Sequence, residues 1–117
     1  MEKNVKISML LDLYGSLLTD KQFNLLNDYY NNDYTLSEIA ENEGITRQAV
    51  RDNLIKGENN LLEYDGKLKM LKKKENERSV IENSISLLEE ISKRNKIDLE
   101  IKNEIDRIVK NLKKIDL

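Results

Sequence analysis

Apolar residues recur three and four apart along nearly the whole chain, the spacing of helices with one buried side. Ile7, Leu10, Leu11, Tyr14 and Leu18 mark a first helix over Val5–Leu18. Gly15, near its end, weakens that helix and permits a close helix crossing. Thr19 followed by Gln22 has the form of a capping box. It opens a second helix to about Asn31, with Phe23, Leu26, Tyr29 and Tyr30 on its apolar side. Asn31, Asn32 and Asp33 then signal a turn. Thr35 with Glu38 is another capping box, and the short helix behind it carries Ile39 and Ala40 inward. Gly44 supplies the sharp turn, Ile45 tucks into the angle, and Thr46 caps a fourth helix whose buried side starts with Val50 and Leu54.

Leu61, Tyr64, Leu68 and Leu71 continue that buried side without losing register across Asp65 and Gly66. A glycine inside a helix costs only about 1 kcal/mol relative to alanine. The pattern therefore predicts one unbroken helix from Arg47 to about Lys73, with the lysines at 72–74 marking its end or a bend. Beyond it, Ile81, Ile85, Leu88 and Ile91 form one stripe. Lys93 to Lys96 interrupt, and Asp98 caps a last helix in which Ile101, Ile105, Ile108, Leu112 and Ile115 alternate by four and three. This heptad seam is too short to be stable alone. It must pack on the preceding helix, on the long helix, or on a second copy of the chain.

The expected architecture is all-α: a helix-turn-helix module over residues 1–66 and a C-terminal helical extension over 67–117, with the extension a candidate dimerisation element. In a helix-turn-helix the second helix can enter a DNA major groove. Thr46, Arg47, Gln48 and Arg51 lie in its first two turns, where base edges are contacted. Arginine can grip guanine bidentately and glutamine can pair with adenine. Lys56 and Lys21 are the candidate phosphate contacts. Read as an ordinary fold instead, these six side chains are a solvated helix surface. Gly44, Ile39, Ala40, Ile45, Val50 and Leu54 are core or turn residues, and Tyr14, Tyr29, Tyr30 and Tyr34 are expected in the core with hydroxyls at the surface.

Charge weakens the DNA reading. The chain has 20 Lys and Arg against 22 Asp and Glu, a net charge of −2. Between Thr35 and Gly57 the cations Arg47, Arg51 and Lys56 meet the acids Glu38, Glu41, Glu43 and Asp52. Phosphate contacts supply much of a DNA-binding protein's affinity, so a locally acidic module gains from dimerisation. Lys67, Lys69, Lys72, Lys73 and Lys74 form a basic run, read either as a nucleic-acid track or as a helix end favoured by the macrodipole. With no histidine and no cysteine the chain lacks the commonest general base and the thiolate metal ligands, so neither an enzyme nor a cofactor is expected. No apolar run spans a membrane, the N-terminus lacks the apolar stretch of a signal peptide, and the cytoplasm is the expected location.

One resemblance adds to this reading. The runs Leu17–Gln22, Asp33–Glu41 and Thr46–Val50, with Tyr29, Tyr30, Asp52, Asn53, Glu58, Tyr64, Lys67 and Leu68, resemble the YlxM family of small helix-turn-helix proteins of Gram-positive bacteria. The match covers roughly Tyr14 to Leu68. Two positions depart from the family pattern: Arg51 stands where an aromatic is usual and Ile55 where a basic residue is usual. The resemblance implies a fold related to region 4 of bacterial sigma factors. It also implies a gene neighbourhood shared with the signal recognition particle GTPase, hence a regulatory or accessory role in protein targeting. The expected function is that of a non-enzymatic DNA-binding regulator acting as a homodimer. The alternative is an adaptor that binds a signal recognition particle or RNA polymerase component.

Overall fold

The computed structural model describes residues 2–115. Among them it contains six α-helices and no strand: α1 (Lys3–Tyr14), α2 (Asp20–Tyr30), α3 (Leu36–Glu43), α4 (Arg47–Leu68), α5 (Met70–Ser92) and α6 (Leu99–Lys113). The all-α expectation is met. The chain divides into two compact units, Met1–Leu71 and Lys72–Leu117, so the division lies five residues past the expected one at Gly66. No helix among the described residues is long and apolar enough to cross a membrane.

Three threonines set the helix starts in the first unit by accepting backbone N–H bonds. Thr19 accepts from Gln22, Thr46 from Ala49, and Thr35 from Glu38, whose carboxylate reciprocates to the Thr35 N–H. Gly44 closes α3 in the left-handed region at φ 66°, where a Cβ would be strained. The first helix ends at Tyr14 rather than Leu18, because Gly15–Leu17 tighten into a 3-10 turn. The crossing expected at Gly15 is present: a Cβ there would sit 2.8 Å from the Phe23 ring.

The core of this unit joins Ile7, Leu10, Leu11 and Tyr14 of α1, Leu25 and Leu26 of α2, Ile39 and Ala40 of α3, and Val50, Leu54 and Leu61 of α4. Helix α4 packs against the three helices before it. It approaches α2 closely through Gly57, where a Cβ would lie 2.8 Å from Leu26 Cδ1.

The long helix does pass through Gly66, as the register predicts, but stops earlier than Lys73. Lys69 takes a left-handed conformation (φ 55°) and its N–H returns to the Asp65 carbonyl. A helix start needs acceptors for its free N–H groups. Here Tyr14 Oη accepts from Met70 N (3.1 Å) and Asp65 Oδ1 accepts from Leu71 N (3.2 Å), while the Tyr14 hydroxyl donates to the same carboxylate oxygen (2.8 Å). The break is thus held by a tyrosine from α1 and an aspartate from α4. In consequence Lys72, Lys73 and Lys74 lie in the first turns of α5, not at a helix end. The macrodipole opposes cations at that position, so it accounts for Lys67 in the last turn of α4 but not for Lys72, Lys73 and Lys74.

The second unit is a hairpin of α5 and α6. Asp98 caps α6 by accepting from Glu100 N. Ser92 Oγ donates to Asp106 Oδ1 (2.6 Å) and Lys113 Nζ meets Glu89 Oε1 (3.0 Å), which makes the two helices antiparallel. Ser92, Ile105 and Val109 are buried in this seam. The isoleucine heptad expected to form it is split: Ile105 faces inward with Val109, while Ile101, Ile108 and Ile115 remain about half exposed.

Candidate nucleic-acid interface

The fourth helix presents its first two turns to solvent because its buried stripe, Val50–Leu54–Leu61, lies on the other side. Thr46, Arg47, Gln48 and Arg51 are all exposed there. Arg47 Nη1 donates to Ser37 Oγ (3.3 Å), a bond that links the start of α3 to the start of α4. Gln48 Nε2 donates to Asp52 Oδ1 (2.9 Å). Arg51 makes no ion pair among the described residues. Arg47, Gln48 and Arg51 line one open depression of about 480 Å³ with Leu36 as its floor.

Lys56 and Lys21 are also exposed but do not join this group. Lys56 follows Arg51 by five residues, which turns it roughly 140° round the helix at 3.6 residues per turn. Neither lysine lines the depression around the arginines.

A cation that the sequence reading missed stands closer. Lys3 lines a second depression with Arg51, Tyr29, Tyr30, Leu36, Ile55 and Glu58. Its ammonium lies 3.5 Å from Glu58 Oε2. Glu58 is a buried carboxylate on the inward stripe of α4, and the Tyr30 hydroxyl donates to its other oxygen. Burial, and then the bond to Glu58, push the Tyr30 phenol above its ordinary range. Burial first, then Asp65, does the same to Tyr14. Glu58 had a visible signal: an acid four residues after Leu54 and three before Leu61 occupies a core position. Lys3 had none, since fold alone brings it to Glu58.

The tyrosines divide differently from expectation. The Tyr14 hydroxyl is inside, bonded to Asp65, because the ring is almost wholly buried. Tyr29 and Tyr34 are exposed rather than core, and with Asn4, Asp33, Thr35 and Leu36 they line a third depression. Leu36 borders all three. The result is a surface with Arg47, Gln48 and Arg51 at one end, Lys3 beside them, and aromatic and aliphatic groups continuing from it.

Over residues 1–117 the chain matches the family described as "Putative helix-turn-helix protein, YlxM / p13 like". A UPF0122 protein of Clostridium perfringens is 43% identical over 106 residues, covering 91% of this chain and 92% of that one. A UPF0122 protein of Fusobacterium nucleatum is 37% identical over 112 residues, covering 96% and 97%. One from Malacoplasma penetrans is 50% identical over 66 residues, 56% of this chain and 62% of its own.

Proposed function

The chain belongs to the YlxM/p13-like helix-turn-helix family, and on that footing we propose that it is a non-enzymatic DNA-binding regulator that reads duplex DNA with the first two turns of α4. The observation that carries this reading is the exposed Arg47–Gln48–Arg51 face. A capped helix start and a left-handed glycine turn hold it outward, with nothing from its own unit covering it. Arg47 and Arg51, one turn apart, are the base-reading cations. Gln48 reads adenine after exchanging Asp52 for the base, and the Thr46 hydroxyl, which accepts from Ala49 N in its cap, keeps its O–H to donate to DNA. Lys3, once released from Glu58, adds a phosphate contact beside Arg51, while Lys21 and Lys56 touch backbone away from the reading face.

The test is a gel shift on a pool of random-sequence duplexes at several salt concentrations. Arg47→Ala and Arg51→Ala are each expected to cost about 1–3 kcal/mol of binding and to relax the selected sequence. Lys3→Ala is expected to weaken all sequences alike and flatten the salt slope by about one. Binding unchanged in the double arginine variant overturns the reading.

A second reading rests on the apolar part of the same surface. Tyr29, Tyr34, Leu36 and Ile55 continue from the arginines. In that reading the module is an adaptor for a signal recognition particle or RNA polymerase component. Retention of either partner by the Arg47→Ala/Arg51→Ala protein, with loss in Tyr34→Ala/Ile55→Ser, is its expected signature.

A further inference from the structure

The hairpin of the second unit leaves apolar side chains uncovered in a pattern. On α5, Val80 and Leu87 are 65% and 61% exposed; on α6, Ile101 and Ile108 are 49% and 48% exposed, and Ile115, two residues past the end of α6, is 47% exposed. Each set repeats every seven residues. At about 100° per residue, Val80, Leu87 and the half-buried Ile91 share an arc of roughly 40° on α5. That arc is turned roughly 110° from the inward stripe of Ile81, Ile85, Leu88 and Ser92. On α6 Ile101 and Ile108 share an arc of roughly 20°, turned roughly 70° from the side of Ile105 and Val109 in the same rotational sense. Because the helices are antiparallel, turns in the same sense carry both arcs to one side of the hairpin. The two seven-residue series therefore form a single apolar face. Asn83 and Ser84 flank Val80 and Leu87 on α5, and Glu104 is the one charged side chain between Ile101 and Ile108 on that side of α6.

We propose that this face is the seam of a homodimer, in which two hairpins close into a four-helix bundle. Four observations choose a second copy as the occupant. A two-helix unit shorter than about 55 residues rarely buries enough surface to be stable alone, and this one buries only Ser92, Ile105 and Val109 among its described residues, none of them completely. Two apposed faces, each with Val80, Leu87, Ile101, Ile108 and the residues flanking them, would remove on the order of 1,000 Å² in all, where specific interfaces begin. Seven-residue spacing is the period at which helices of separate chains interdigitate. Residues 72–117 carry twelve basic and ten acidic groups, so two copies meet without strong repulsion.

This goes beyond the DNA-binding reading and stands without it, since the test contains no nucleic acid. Sedimentation equilibrium of the full chain is expected to give twice the chain mass. Leu87→Glu/Ile108→Glu is expected to raise the dimer Kd at least a hundredfold with helicity by circular dichroism unchanged. Lys110→Glu, on the far side of α6, is expected to leave it unchanged. Should the double glutamate variant lose helicity, Leu87→Gln/Ile108→Gln must still weaken self-association. A monomeric wild type would leave the face to the chain's first unit or to a foreign partner, and overturns the proposal. A dimer that survives the double variant, or one that dissociates equally with Lys110→Glu, also overturns it.

Discussion

The two units are written in the same helical code and end differently. In the first, four helices turn their stripes toward one another, and Leu10, Leu26, Val50 and Leu61 lose all contact with water. In the second, two helices with equally regular stripes bury only part of them. The charge balance differs too: Met1–Leu71 holds eight basic and twelve acidic residues, the reverse of the extension's slight excess of cations. The contrast teaches that apolar periodicity specifies a side to be covered, not what covers it. A stripe of fixed spacing is satisfied by a neighbour in the same chain where the topology supplies one. Where it does not, the stripe waits for another surface.

The sharpest way to break this comparison is the same truncation in both units. Leu10→Ala is expected to cost about 2–5 kcal/mol of unfolding free energy, as for a fully enclosed leucine. Ile108→Ala, measured at concentrations below self-association, is expected to stay within about 0.5 kcal/mol. Equal losses in chemical denaturation would show that the hairpin is as well packed as the first unit. Asp65→Ala comes next, with about 2–3 kcal/mol expected from an orphaned Tyr14 hydroxyl and an uncapped α5. Hydrogen exchange should speed up first at Met70 and Leu71. Smallest, and most telling along a single helix, is a pair of glycine replacements in α4. Gly57→Ala is expected to destabilise by about 1 kcal/mol or more, because the new methyl meets Leu26 in a filled core. Gly66→Ala is expected to stabilise by up to about 1 kcal/mol, because no atom lies within 4 Å of its Cβ. Thermal melts of the two variants should move in opposite directions.

What was legible in the sequence was local. The Thr35 box, the Thr46 cap and the left-handed Gly44 each depend on residues within a turn of one another, and all stand where the pattern placed them. The outward face of Arg47, Gln48 and Arg51 follows from the same local register. Passage of α4 through Gly66 was legible as well, since the apolar period survives it. Its stop at Lys69 was not. The cause is Tyr14, brought to Asp65 across 51 residues of chain, and no window of sequence contains both. Lys3 beside Arg51 is hidden for the same reason. The hairpin was half legible: its stripes were visible, but which isoleucines face α5 depends on a helix rotation that Ser92–Asp106 and Lys113–Glu89 decide.

The arrangement at the joint imposes an order on folding. The first two amides of α5 are satisfied by oxygens of Tyr14 and Asp65, and Tyr14 reaches them only when its ring is already seated among α1 and α4. A nascent chain can therefore stabilise the head of α5 only after the residues before it have collapsed.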